Sequence, residues 1–78
     1  STKVREEKKR MTYFEKQEWE TIEADIEALE GRIAEIEVAM QENGSDFARL
    51  SELQKELDEQ NEKLLEKYER YEYLSGLE

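Results

Sequence analysis

The first feature of the chain is a run of apolar residues spaced alternately three and four positions apart. It lasts three heptads and consists of Trp19, Ile22, Ile26, Leu29, Ile33, Ile36 and Met40. This spacing is that of the core positions of a coiled-coil helix, which all lie on one face. Thr12, followed three residues later by Glu15, fits a capping box at the helix start. We therefore predict helix 1 over about 12–42.

A second, looser apolar stripe follows a turn-like sequence. Asn43-Gly44 is typical of a left-handed helix C-cap, and Ser45 or Asp46 can cap the start of another helix. The stripe consists of Phe47, Leu50, Leu53, Leu57, Leu64, Tyr68, Tyr71 and Leu74. We predict a turn over about 43–46 and helix 2 over about 46–75.

So short a connection requires the two helices to pack side by side and antiparallel. If the turn is centred near Gly44, Ile33 faces Leu57 and Trp19 faces Tyr71. The predicted fold class is therefore all-α, an antiparallel two-helix coiled-coil hairpin over residues 12–78.

The same register predicts the surroundings of several polar residues. Leu29 would face Gln60 or Asn61, which is most simply a buried polar side chain that fixes the register. Ion pairs beside the seam add little energy but penalise slipped registers. The pairs expected are Glu23 with Lys67 and Arg32 with Asp58.

The composition excludes several classes of function. The chain has neither Cys nor His, so the usual zinc sites, Ser-His-Asp triads and Cys-His pairs cannot form. Gly31, Gly44 and Gly76 are too far apart to make a phosphate-binding loop, and a two-helix hairpin has no pocket for paired catalytic carboxylates. We expect no catalytic, metal or cofactor site in this chain.

Localisation and order follow from the same composition. No apolar run is long enough for a signal peptide or a membrane span, so we expect a soluble fragment with no membrane contact. The charged fraction of 44% would fit a disordered chain, but the sustained heptads favour a coiled coil.

Positive charge is concentrated at the start of an acidic chain. The formal net charge is −10, yet residues 1–10 hold five basic and two acidic residues, a net of +3. We expect residues 1–11 to form a flexible basic linker.

In an antiparallel hairpin both chain ends lie at one end, so basic and aromatic residues gather there. Cations can bind phosphates, and exposed aromatic rings can stack on bases. The predicted nucleic-acid-binding residues are Lys8, Lys9, Arg10, Tyr13, Phe14, Lys16, Lys67, Arg70 and Tyr73. Trp19, Tyr68 and Tyr71 are more simply explained as seam residues.

Two short motifs resemble those of a known family. An opening motif of the form K-x-[LM]-[ST]-Y-x-E-x-x-E is matched by Lys9, Met11, Thr12, Tyr13 and Glu15, with Glu18 close by. A closing motif of the form E-[RK]-W-E-x-L is matched by Glu69, Arg70, Glu72 and Leu74, with Tyr71 where tryptophan is common. With the heptads between them, the chain resembles the C-terminal coiled-coil domain of ABC-F proteins. These are soluble, duplicated ATPases of the ABC superfamily that act on ribosomes or are linked to DNA transactions.

The resemblance implies a cytoplasmic parent protein with two cassettes upstream that bind ATP and Mg²⁺. This chain would be its non-catalytic C-terminal accessory domain, monomeric in isolation, with DNA or ribosomal RNA and tRNA as ligands. The alternative is a purely structural module that docks on the ATPase domains of its own chain or self-associates. Ala24, Ala28, Val38 and Leu65 lie off the seam and could serve that purpose.

Overall fold

The computed structural model describes residues 10–77, which form two long helices. Helix α1 spans Tyr13–Glu42 and helix α2 spans Phe47–Ser75. The two helices pack against each other along their length, which confirms the predicted antiparallel hairpin. The basic linker expected over residues 1–11 falls mostly outside the described residues and stays a prediction.

Both helix starts are capped by side chains. The Thr12 hydroxyl accepts a hydrogen bond from the Glu15 N–H at 3.2 Å, and the Glu15 carboxylate accepts one from the Thr12 N–H at 2.9 Å. The predicted capping box is therefore confirmed. At the start of α2 the carboxylate of Asp46 accepts from the Arg49 N–H at 3.0 Å, so Asp46 is the N-cap.

The predicted left-handed cap between the helices is wrong. No residue in the range 10–77 has a positive φ, and Asn43 lies at φ −113°. Its side-chain amide donates to the Ala39 carbonyl at 2.7 Å, and its backbone N–H donates to the same oxygen at 3.0 Å. Because Asn43 satisfies this helix-end carbonyl, the turn does not need a glycine in the left-handed region.

The core is a single seam between the helices. Within residues 10–77 its buried side chains are Ile22, Ile36, Leu53 and Leu74. On α2 the seam positions again alternate in steps of three and four, and the buried or half-buried residues that occupy them are Leu50, Leu53, Leu57, Gln60, Leu64, Lys67, Tyr71 and Leu74. Two polar residues therefore take seam positions, Gln60 at the middle of α2 and Lys67 nearer its C-terminus.

Gln60 and Lys67 account for the differences from the predicted stripe. Gln60 is half-buried and Asn61 is exposed, so Gln60 is the one of these two that takes the seam position. The prediction that Tyr68 lies on the seam is wrong, because Lys67 occupies that step and Tyr68 is 45% exposed. A lysine can hold such a position because its methylene stem packs against apolar surface while its ammonium reaches a partner outside.

Candidate nucleic-acid interface

The base of the hairpin, where α1 begins and α2 ends, carries two exposed aromatic rings. Tyr13 and Phe14 are the first two residues of α1, and they are 69% and 80% exposed. Their ring centroids lie 5.6 Å apart with the planes at 78°, an edge-to-face pair. The capping box holds this first turn in place, so the two rings stand on ordered backbone.

Two further aromatic residues close the seam just above the base. The rings of Trp19 and Tyr71 lie 5.1 Å apart with an interplanar angle of 32°, which confirms the predicted contact between them. Both residues are half-buried, so their main contribution is to packing between the helices.

Arg70 links the end of α2 to the start of α1. Its Nε donates to Glu18 at 2.8 Å, and its guanidinium lies 3.9 Å from the Glu15 carboxylate. The guanidinium carbon also lies 4.9 Å from the centre of the Tyr73 ring, whose hydroxyl donates to Glu15 at 3.3 Å. The hydrogen bond to Glu18, followed by the charges of both carboxylates, raises the pKa of Arg70.

Glu15 and Glu18 were missed as members of this site by the sequence reasoning. The available signal was position, because Glu18 comes directly before seam residue Trp19 and Arg70 directly before seam residue Tyr71. In an antiparallel pair, such residues lie on the same flank of the seam.

The two ion pairs predicted from the sequence are wrong by two residues each. Lys67 pairs with Asp25 at 3.1 Å and not with Glu23. Arg32 pairs with Glu56 across the seam and with Glu35 at 3.2 Å in its own helix. The register predicted the level of these residues along the helices but not their partners: Asp58 is exposed and accepts a hydrogen bond from Gln54 within α2.

The predicted cations therefore fall into three groups. Lys8 and Lys9 lie outside the described residues. Lys67 and Arg70 are held in ion pairs across the helices. Arg10 and Lys16 are exposed and make no ion pair within residues 10–77.

The opposite flank of the hairpin carries hydrogen bonds between tyrosines and glutamates. The Tyr68 hydroxyl donates to Glu30, and the Tyr71 hydroxyl donates to Glu23 at 3.3 Å. The bond to Glu30 raises the pKa of the Tyr68 phenol, with burial as a second cause. These contacts were not predicted, because a heptad pattern does not show that a flanking ring will reach across to the other helix.

The first turn of α1 should make the stability of the hairpin depend on pH. The hydrogen bond from the Thr12 backbone, and then those from the Tyr73 and Thr12 side chains with the charge of Arg70, lower the pKa of Glu15, partly opposed by burial. A carboxyl whose folded-state pKa is lowered stabilises the fold above its unfolded pKa of about 4.3, and this contribution is lost as the pH falls through the folded pKa. We therefore expect Glu15→Gln to lower the Tm at neutral pH and the difference from the natural chain to disappear in acid.

Thermal unfolding followed by far-UV circular dichroism between about pH 7 and pH 3 measures that difference. Glu37→Gln is the matched control, because it removes one exposed carboxylate that makes no ion pair within residues 10–77. A Tm difference for Glu15→Gln that stays constant or grows on acidification would contradict the expectation.

No helix within residues 10–77 is long and apolar enough to cross a membrane. In the same range, no three acidic side chains converge in a group that could hold a metal ion.

Comparison with known proteins identifies the family. Searches of curated proteins and of solved structures find no significant match. The sequence model of the family described as ABC transporter C-terminal domain matches residues 10–76, which include both helices and the whole base as described here. The match agrees with the opening and closing motifs and with the two-helix hairpin. The chain belongs to the ABC transporter C-terminal domain family and is an accessory domain of an ABC protein of the ABC-F type.

Proposed function

We propose that this accessory domain contacts nucleic acid, DNA or ribosomal RNA and tRNA, through the start of α1. The observation that supports the proposal is the exposed pair of rings, Tyr13 and Phe14, between two exposed basic residues, Arg10 and Lys16. Aromatic rings stack on unpaired bases with little dependence on sequence, and lysine and arginine bind the backbone phosphates. In this proposal Lys8 and Lys9, which precede the described residues, extend the same basic segment.

Lys67, Arg70 and Tyr73 have a secondary part in the proposed interface. A phosphate that approached Arg70 would have to compete with Glu18 at 2.8 Å, and one that approached Lys67 would compete with Asp25 at 3.1 Å. Their substitution should therefore weaken binding less than substitution at the start of α1.

The remaining surface limits the strength of the contact. Residues 11–78 carry a net charge of −13, because the chain total is −10 and residues 1–10 contribute +3. This acidic shaft repels phosphates, so binding should be confined to the base and should weaken steeply as salt is added. Turnover of ATP with Mg²⁺ would belong to the cassettes of the parent protein that the family resemblance implies.

The deciding experiment compares exposed aromatic residues at the two ends of the hairpin. We expect the double substitution Tyr13→Ala, Phe14→Ala to weaken binding about tenfold or more, since each base–ring stack contributes about 1–3 kcal/mol. Phe47→Ala is the matched control, because Phe47 is 84% exposed at the turn end and should not affect binding.

The measurement is an NMR titration of the ¹⁵N-labelled chain with a single-stranded DNA and with an RNA stem-loop, at low and moderate salt. Comparison of the two ligands separates DNA from RNA recognition. Shifts confined to residues 10–16 and lost in the double variant would support the proposal. Absence of shifts with either ligand at low salt, or equal binding by the double variant, would refute it.

A further inference from the structure

The flank of the hairpin opposite the ion pairs has an exposed apolar centre. Two adjoining depressions lie there, and Tyr68 and Tyr71 line both of them. Ile26 contributes to one depression, and Leu65, which is 58% exposed, contributes to the other. We call this surface, formed by Ile26, Leu65, Tyr68, Tyr71 and the glutamates around them, the tyrosine face.

The rim of the tyrosine face is acidic. Glu23 and Glu27 line one depression, and Glu69 and Glu72 line the other. No lysine or arginine among residues 10–77 lines either depression. Carboxylates grouped in this way repel each other, so a cation that docked among them would be bound favourably.

The base of the same molecule shows how an arginine can bind neighbouring tyrosine and glutamate side chains. There Arg70 lies over the Tyr73 ring and binds Glu18, while the Tyr73 hydroxyl donates to Glu15. One guanidinium thus interacts with a ring face and with carboxylates at once. Arginine suits this arrangement because its planar group stacks on aromatic rings and forms directed hydrogen bonds to carboxylates.

The tyrosine face repeats the tyrosine–glutamate part of this arrangement, and no arginine of residues 10–77 lines it. Tyr68 donates to Glu30 and Tyr71 donates to Glu23, and each carboxylate keeps further lone pairs able to accept. We propose that the tyrosine face binds an arginine-bearing amphipathic segment of another protein. Arginine side chains of that segment stack on the tyrosine rings and bind the glutamates, while an apolar residue covers Leu65.

The charge of the chain distinguishes this partner from other occupants. A second copy would bring another chain of charge −10 to an acidic surface, and nucleic acid would bring phosphates to it, so both are repelled. The proposed partner therefore differs from the ligand of the base, and the two surfaces can be tested separately.

The test uses the full chain and two synthetic peptides in isothermal titration calorimetry. One is a helix-forming peptide with arginine and leucine on the same face, and the other replaces each arginine by lysine at equal charge. We expect the arginine peptide to bind about tenfold more tightly, since lysine neither stacks nor forms the forked hydrogen bonds. Tyr68→Ala and Leu65→Ser should each weaken the arginine peptide, the first by about tenfold. Val38→Ser, at an exposed apolar residue elsewhere, should leave binding unchanged.

A charge control separates a specific site from general attraction. The double variant Glu27→Gln, Glu69→Gln should weaken binding several-fold more than Glu37→Gln, Glu59→Gln, which removes equal charge away from the tyrosine face. Far-UV circular dichroism checks that each variant is folded. Failure of the arginine peptide to bind, equal binding of both peptides, equal effects of the two glutamate pairs, or a dimer through this face in sedimentation would each overturn the proposal.

Discussion

Leu53→Ala should unfold a large fraction of the molecules at physiological temperature. Leu53 is 2% exposed in a core that has one seam and no second layer of side chains behind it. Truncation of a buried leucine costs about 2–5 kcal/mol, from lost burial and from the cavity left behind. A core of this size rarely supplies more than about 3–5 kcal/mol of net stability, so the substitution removes most of it.

Leu65→Ala is the control for this experiment, because it makes the same chemical change in the same helix at an exposed position. Its effect on the free energy of unfolding should stay within about 0.5 kcal/mol. Urea unfolding followed by far-UV circular dichroism measures both variants. Similar losses for the two leucines would mean that α2 does not bury the face described here.

Trp19→Ala should also be strongly destabilising, and it should loosen the packing of the two helices next to the base. The indole is half-buried and packs on the Tyr71 ring at 5.1 Å, so the change removes both burial and an aromatic contact. Replacement of a packed tryptophan by alanine costs about 3–5 kcal/mol, and we expect the lower end because Trp19 is only half-buried.

Two control substitutions show whether the loss of stability in Trp19→Ala comes from packing between the helices. Phe14→Ala removes an exposed ring in the same helix and should change stability by no more than about 0.5 kcal/mol. Trp19→Phe keeps an aromatic ring and should recover part of the loss. Hydrogen exchange measured by NMR should show the amides of the base opening first in Trp19→Ala. Equal stability of Trp19→Ala and Phe14→Ala would show that the seam is not closed by the indole.

The parts of the fold that follow from local chemistry could be predicted from the sequence. The seam of α1 was readable because seven successive core positions hold apolar side chains, and the start of α1 was readable because Thr12 and Glu15 form a capping pair. The contact between Trp19 and Tyr71 then followed from the short connection between the helices.

The predictions were wrong where a side chain could adopt either of two arrangements. Lys67 was assigned to a flank, yet its long stem lets it occupy a seam position and pair with Asp25, which leaves Tyr68 outside. Asn43 capped the end of α1 with its own amide, so Gly44 did not adopt the left-handed conformation its type allows. Pattern reasoning assigns residue types to positions, but it does not decide between two geometries of similar energy.

The residue types of the candidate site could be predicted from the sequence, but the ion pairs that its basic residues form could not. The sequence indicated that basic and aromatic residues gather at the base, but not which of the basic residues form ion pairs across the helices. Arg70 lies opposite Glu18 only because both residues directly precede a seam residue, and this depends on the register of α2. Because Lys67 and Arg70 are held in ion pairs, the centre of the proposed interface lies nearer to Arg10 and Lys16.

The contact between Trp19 and Tyr71 also gives the molecule an intrinsic fluorescent probe. Trp19 is the single tryptophan of the chain, and Tyr71 lies close enough to pass excitation energy to it. Separation of the helices at this end should therefore reduce the indole emission that is excited through Tyr71 and expose the half-buried indole to water. Any ligand or substitution that separates them would change the colour of that emission without an attached dye.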